Sequence, residues 1–171
     1  MKKTTFTTSS NGYTLILGLG ETGLAAARWY LQQQLPVRLA DTRPTYQAHI
    51  DTLLQDYAQS EVDIVLGEAA LDTAVLEQIQ TVVISPGLAV TDVAVSQLLQ
   101  IARERHIPVI SEIELFAQAL ADLATQGYRP KVLAVTGTNG KTTVVQLVKH
   151  MLQSAQYSVE VAGNISPAAL T

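Results

Sequence analysis

The sequence predicts an α/β protein: a Rossmann-like, doubly wound and mostly parallel sheet, followed by the first β-P-loop-α-β portion of a second α/β unit. Three observations predict it. Short apolar runs alternate with segments of helical spacing, the pattern of a parallel sheet with right-handed crossovers. Two of those runs end in glycine-rich turns that open straight into a helix, at residues 18–23 and 137–143. Between the two units stands a breaker cluster, Gln126-Gly-Tyr-Arg-Pro130, whose glycine and proline interrupt regular structure.

The elements follow in order. Residues 14–17 are an apolar run stopped by glycine and read as a buried parallel strand. Residues 22–34, rich in Ala, Leu and Gln, read as a helix, and 37–40 as a second strand ending at Asp41. Strands are expected at 62–66, stopped by Gly67, and at 81–84, ending at Ser85-Pro86-Gly87. Residues 91–105 form a helix with Val95, Leu98, Leu99 and Ala102 on one buried face. A fifth strand spans 108–110, and a helix spans 111–125, where Ser111 and Glu114 have the spacing of a capping box. After the breaker come a strand at 131–135, the second glycine loop, a helix at 141–154 and a strand at 157–162. The expected domains are 1–128 and 129–171. The second is too short to bury both faces of a sheet, so the chain reads as the front part of a longer protein or as a truncation.

Composition narrows the class. With 47% apolar and 15% charged residues among 171, the chain can bury a core. The net charge is −4 and the 11 Lys and Arg form no basic run, so no nucleic-acid partner is expected. The absence of cysteine excludes disulfides, thiolate-bound zinc and thiol catalysis. Met1-Lys2-Lys3 has the charge of a signal-peptide start, yet the next residues are polar and Leu15-Ile16-Leu17 is far too short for its apolar region. No run approaches the roughly 18 apolar residues of a membrane span. A cytoplasmic protein with no membrane partner is the expectation.

Gly137-Thr138-Asn139-Gly140-Lys141-Thr142-Thr143 lies between a strand and a helix. Backbone N–H groups and the helix dipole there face an anion. Lys141 has the reach for the outer phosphates of a nucleotide, most naturally ATP, and Thr142 carries a hydroxyl for Mg²⁺. The loop is a variant of G-x-x-x-x-G-K-[ST], since Val135 occupies the first glycine position and glycine appears at 137 instead.

Gly18-Leu19-Gly20-Glu21-Thr22-Gly23 is G-x-G-x-x-G after a strand and before a helix, with Asp41 at the end of the next strand. Three readings fit: a nicotinamide-cofactor site, a site for another diphosphate such as a UDP-sugar, or close strand–helix packing without a ligand. The adjoining unit separates the first two, because a dehydrogenase has little use for an ATP loop whereas a ligase acting on a nucleotide-sugar needs both.

These residues also carry a resemblance. The 18–23 and 137–143 loops, Asp41-Thr-Arg43, Ser85-Pro-Gly87, Glu112-Ile-Glu-Leu-Phe116 and Gly163-Asn-Ile165 occur in the order seen in Mur ligases. The resemblance spans nearly the whole chain. The ATP loop is shared with other Mur and folylpolyglutamate ligases, while its combination with the first loop, Asp-Thr-Arg and Ser-Pro-Gly is most like the D-glutamate-adding branch.

The resemblance implies ATP-dependent amide formation in peptidoglycan synthesis by a monomer. Its partners would be UDP-N-acetylmuramoyl-L-alanine and D-glutamate, and its cofactors ATP and Mg²⁺. ATP phosphorylates the L-alanyl carboxylate, the amine of D-glutamate attacks the acyl phosphate, and ADP and phosphate leave. Residues 137–143 would hold the ATP phosphates, with Lys141 catalytic and Thr142 on Mg²⁺. The uridine site would fall on Glu21, Thr22, Thr42 and Arg43, with Arg43 stacking on or bonding to the uracil or ribose. Diphosphate contacts would come from the Gly18, Gly20 and Gly23 loop, from Ser85 with Pro86 and Gly87, and from Asn164; Asp41 would support the loop.

Two positions depart from the family pattern. Glu21 stands where an apolar residue is expected and should point outward, and Ser166 stands where glycine is usual. The family's further acidic, histidine and carbamylated-lysine positions have no counterpart here, so this polypeptide is expected to bind the UDP moiety without catalysing ligation. Glu112 and Glu114 read as helix-start residues, and His49, His106 and His150 as scattered surface or packing histidines. Asp51, Asp56, Glu61 and Asp63 read as solvated acids flanking the third strand.

Overall fold

A computed structural model describes residues 12–163 and 166–171. The readings made for residues 1–11 and for Asn164 and Ile165 lie outside these. Five strands form one sheet: β1 (Tyr13–Leu17), β2 (Val37–Asp41), β3 (Val62–Leu66), β4 (Ile79–Ile84) and β5 (Val109–Ser111). Around it run α1 (Glu21–Gln32), α2 (Gln47–Leu54), α3 (Val93–Glu104) and α4 (Glu112–Thr125), and α5 (Lys141–Ser154) follows.

The order is β3-β2-β1-β4-β5 and every pairing is parallel. Successive side chains of a strand point to opposite faces, and two cores result. On one face Leu15, Leu17 and Val82 pack with Val95, Leu98, Leu99 and Ala102 of α3 and with Ala70, Val75 and Leu76 of two short 3-10 turns. On the other, Ile16, Leu39 and Val83 pack with Ala26, Ala27, Tyr30 and Leu31 of α1, Ile50 and Leu53 of α2, and Leu115 of α4. Strands buried on both faces explain why their sequences are almost continuously apolar.

The chain reverses its winding at β1: β2 and β3 lie to one side, β4 and β5 to the other. At such a switch point the loops leaving the two neighbouring strands diverge and open a crevice beyond their C-terminal ends. Here those loops begin at Gly18 and Ser85.

Helix ends are built as their sequences suggest. The Asp92 carboxylate accepts the N–H groups of Ala94 at 2.9 Å and Val95 at 3.3 Å, starting α3. Ser111 Oγ accepts the Glu114 N–H at 3.2 Å. The reciprocal half of that box is replaced, because Glu114 Oε1 instead accepts from Gln118 at 3.1 Å.

Three expectations need correction. Residues 131–135 and 157–162 do not form strands: β1–β5 are the strands of the described residues, and these two stretches run without ladder pairing. A strand exists only through a neighbour that takes its N–H and C=O groups. Val132 and Leu133 are 62% and 68% exposed, so the run lacks the burial of a sheet strand. Second, α2 has no counterpart in the sequence reading; with eight residues and two buried side chains, Ile50 and Leu53, its apolar signal is short. Third, three of the four acids near β3 are engaged. Asp51 accepts from Gln47 Nε2 at 2.8 Å. Asp63 pairs with Arg38 Nε at 2.6 Å, and Glu61 accepts the Tyr13 hydroxyl. Arg38 also donates to the carbonyls of Val75 and Glu77 at 2.9 and 2.8 Å, tying β2 to the turn before β4.

Candidate functional site

The first glycine loop is shaped by close backbone approach. Gly18 has φ +88°, in the left-handed region, and a Cβ there would lie 2.9 Å from the Ser85 Cβ. A Cβ on Gly23 would lie 1.9 Å from the Gly18 carbonyl oxygen. Glycine at these two positions lets α1 start against the end of β1. Gly20 is the N-cap of α1 and no side chain caps the helix. The first-turn N–H groups, which have no acceptor within the helix, are therefore left for an outside anion. Glu21 is exposed, in line with the expectation that it points outward.

Asp41 anchors this loop. It is 2% exposed. One oxygen accepts the Leu19 N–H at 2.7 Å and Arg43 Nη2 at 2.7 Å. The other accepts the Arg43 N–H at 2.9 Å and Arg43 Nε at 2.8 Å. A carboxylate has about four lone-pair sites, and these four bonds occupy them. Burial pushes the Asp41 carboxyl up, but the Arg43 side chain and the Leu19 and Arg43 N–H groups outweigh it and hold the group below its ordinary value. The ion pair in turn raises the Arg43 guanidinium.

Arg43 is held on a second side as well. Its guanidinium lies 3.9 Å from the Tyr46 ring centroid, and that ring stacks on His49 at 4.5 Å. The sequence reading passed over this ladder; the three-residue spacings 43, 46 and 49, running through the 3-10 turn at Pro44–Tyr46 into α2, were its available signal. With 52% of its side chain still exposed, Arg43 presents an oriented planar cation beside the exposed Thr42.

Beyond the ends of β4 and β5 lies a cleft of about 550 Å³, and of the expected substrate-site residues Gly18, Gly20, Gly23, Asp41, Thr42, Arg43 and Gly87 do not line it. Thr22, Ser85, Pro86, Ser111, Glu112 and Gly163 contribute to its lining. Ligand pockets commonly fall in the range of ~300–1,000 Å³. The fold thus brings together four segments far apart in sequence: the first turn of α1 at Thr22, the turn at Ser85 and Pro86, the start of α4 at Ser111 and Glu112, and Gly163. Of these lining residues, Glu112 was expected only as a helix-start residue. It is that, being the first residue of α4, but it is also 3% exposed. Burial pushes its carboxyl up, and the N–H groups of Leu170 and Ala169 act in the opposite direction.

None of residues 137–143 lines that cleft. Gly140 caps α5 with φ +75°, and Gly137 has φ +147°. A Cβ on Gly140 would meet no atom within 4 Å, so its conformation, not crowding, calls for glycine. The Lys141 ammonium folds back onto the loop, donating to the Gly137 carbonyl and to that of Thr138 at 3.3 Å. Thr138, Asn139, Thr142 and Thr143 are exposed. Among the described residues no group of three or more His, Asp or Glu could hold a metal ion, and no helix is long and apolar enough to cross a membrane.

Comparison with known proteins adds the family context. A family model described as the N-terminal domain of MurD-like Mur ligases matches residues 12–111, and one described as the Mur ligase middle domain matches residues 135–171. The chain is 49% identical over 159 residues to the UDP-N-acetylmuramoylalanine–D-glutamate ligase of Bordetella pertussis, covering 91% of this chain and 31% of that protein. To the enzyme of the same name in Ralstonia nicotianae it is 48% identical over 165 residues, with 92% and 31% covered. For Burkholderia multivorans the figures are 47% over 157 residues, 91% and 30%. The chain thus spans 30–31% of the length of these curated relatives.

Proposed function

Because the chain belongs to the Mur ligase family, with an N-terminal domain of the MurD-like type, we propose that it binds the UDP-substrate of a cytoplasmic, ATP-dependent ligase. That ligase joins D-glutamate to UDP-N-acetylmuramoyl-L-alanine in peptidoglycan synthesis, and works as a monomer. Residues 1–128 make up the UDP-substrate domain and 129–171 belong to the ATP-binding one.

The observation that carries this reading is the state of Asp41. In a nicotinamide site the acid after the second strand accepts from a ribose hydroxyl. Here all its acceptor capacity is spent on Leu19 and Arg43. The charge that reaches solvent at this spot is the guanidinium of Arg43, a flat donor suited to a uracil face or carbonyl. The diphosphate then meets the uncapped α1 N-terminus and Ser85, where backbone N–H groups and the helix dipole favour negative charge. Asn164, outside the described residues, is assigned to the same ligand, as are Thr22, Thr42, Pro86 and Gly87.

The second loop supports the ATP half of the reading. Gly137 and Gly140 bend the backbone with no Cβ in the way, and Lys141 already lies over the turn. Thr142 Oγ, exposed at the start of α5, suits a hard cation shared with nucleotide phosphates. Mg²⁺ bound there would neutralise phosphate charge. Lys141 would hold the outer phosphates for transfer, a step governed by positioning and charge stabilisation.

Two outcomes follow for the 171-residue chain. Mg·ATP is expected to bind weakly, because residues 137–143 are exposed and lie outside the cleft described above, and Lys141→Ala is expected to abolish even that binding with little change in stability. Phosphorus NMR titration checks it; equal ATP-induced shifts in the variant would count against the assignment of Lys141. The chain is also expected to release no phosphate when given UDP-N-acetylmuramoyl-L-alanine, D-glutamate and ATP. Robust turnover would overturn the division of labour proposed here.

A further inference from the structure

Among the described residues, two acidic side chains are buried, Asp41 and Glu112. Asp41 has its arginine. Glu112 has none: the ion pairs of the described residues are Arg38–Asp63 and Arg43–Asp41. Burying a carboxyl without a cation is costly unless hydrogen bonds replace the lost water. Here the replacement comes from far away in the chain. Glu112 Oε1 accepts the Leu170 N–H at 2.8 Å, across 58 residues. The N–H of Ala169 also faces this carboxyl.

The contact sits where two parts of the cleft meet. Glu112 begins α4, directly after β5, and lines the cleft floor beside Ser85 and Ser111. Leu170 packs against the cluster that holds Ile16 and Leu115, and Ala168 is buried. Gly163, at the other end of this stretch, forms part of the cleft wall and donates its N–H to the Pro167 carbonyl at 3.2 Å. A polar tie at Leu170 therefore holds the turn that in turn holds Gly163. Helix capping already uses Ser111 and not Glu112, so α4 needs no buried acid at its first position.

We propose that Glu112 is a positioning residue for substrate binding: its buried carboxyl latches the 166–171 turn to the sheet domain and thereby sets the wall of the UDP-sugar cleft at Gly163. The proposal rests on the UDP-substrate reading above, and the two fail separately.

The test combines amide hydrogen exchange with calorimetric titration of UDP-N-acetylmuramoyl-L-alanine, on the 171-residue chain. In Glu112→Ala, exchange at Leu170 is expected to quicken and affinity to fall, each by roughly tenfold, about what one lost hydrogen bond to a charged group costs. Protection of β1 and β4 should be unchanged. Glu112→Gln keeps an acceptor oxygen and should restore most of the affinity. Leu170→Pro deletes the donor instead, and should lose affinity like Glu112→Ala even if that variant folds poorly. Unchanged exchange at Leu170 in Glu112→Ala overturns the latch, as does faster exchange with unaltered affinity. Failure of the unsubstituted chain to bind the UDP-sugar overturns the functional reading, and the exchange rates then decide on the latch by themselves.

Discussion

Gly23→Ala is expected to be among the most damaging single-methyl changes this chain can suffer. The added Cβ would lie 1.9 Å from the Gly18 carbonyl oxygen and 3.0 Å from its carbon. Both are backbone atoms, so no side chain can swing aside. Relief requires α1 to move off the end of β1, and α1 supplies Ala26, Ala27, Tyr30 and Leu31 to one of the two cores. Forced overpacking of this kind costs about 3 kcal/mol or more. For a chain of this size that corresponds to a fall in melting temperature of roughly 10 °C or more. Thermal unfolding followed by circular dichroism measures it. Gly20→Ala is the matched control, since the nearest atom to its added Cβ is Ser85 Oγ at 4.0 Å. Equal melting temperatures for the two variants would contradict the packing argument.

Asp41→Ala carries the second large effect, and it touches stability and binding together. The Leu19 N–H is buried and would lose its acceptor, and Arg43 would lose the two side-chain bonds that orient it. Leaving a buried donor unpaired while breaking a charge pair costs about 2–4 kcal/mol. The sign of the accompanying pH dependence follows from the lowered carboxyl. A group whose value falls on folding contributes stability above its ordinary value, here 3.8, and that contribution is lost as pH falls through the lower folded value. Acid titration should therefore show the unsubstituted chain losing its advantage over Asp41→Ala below that pH. A constant stability difference between the two down to strongly acidic pH would show that Asp41 is not the ionised anchor described here.

How far this could be read from sequence depends on the range of each interaction. The sheet was legible because parallel strands buried on both faces are continuous apolar runs, and Gly18 and Gly67 mark where two of them stop. The face of α3 was legible from a different pattern, helical spacing: Val95, Leu98, Leu99 and Ala102 are all buried. The 131–135 and 157–162 runs misled because apolar, β-branched sequence states a preference for burial, whereas a strand also needs a partner. Glu112 was read correctly as a helix start, but incompletely. Its neighbour Ser111 supplies the capping signal within three residues, but the contact that gives the glutamate its environment lies 58 residues on. Asp41 shows the same limit, since its position after the second strand fits a ribose contact equally well. Its four occupied acceptor sites weigh against the ribose contact, on the same side as the adjoining ATP loop and the family resemblance.

The central claim is that the first glycine loop, with the cleft beyond β4 and β5, takes a UDP-sugar and not a dinucleotide. Calorimetric titration of the 171-residue chain tests it most directly. UDP-N-acetylmuramoyl-L-alanine should give saturable one-site binding that weakens when Arg43 is replaced by alanine, and NADH should give none. Binding of NADH, or no binding of the UDP-sugar by folded protein, would contradict the account.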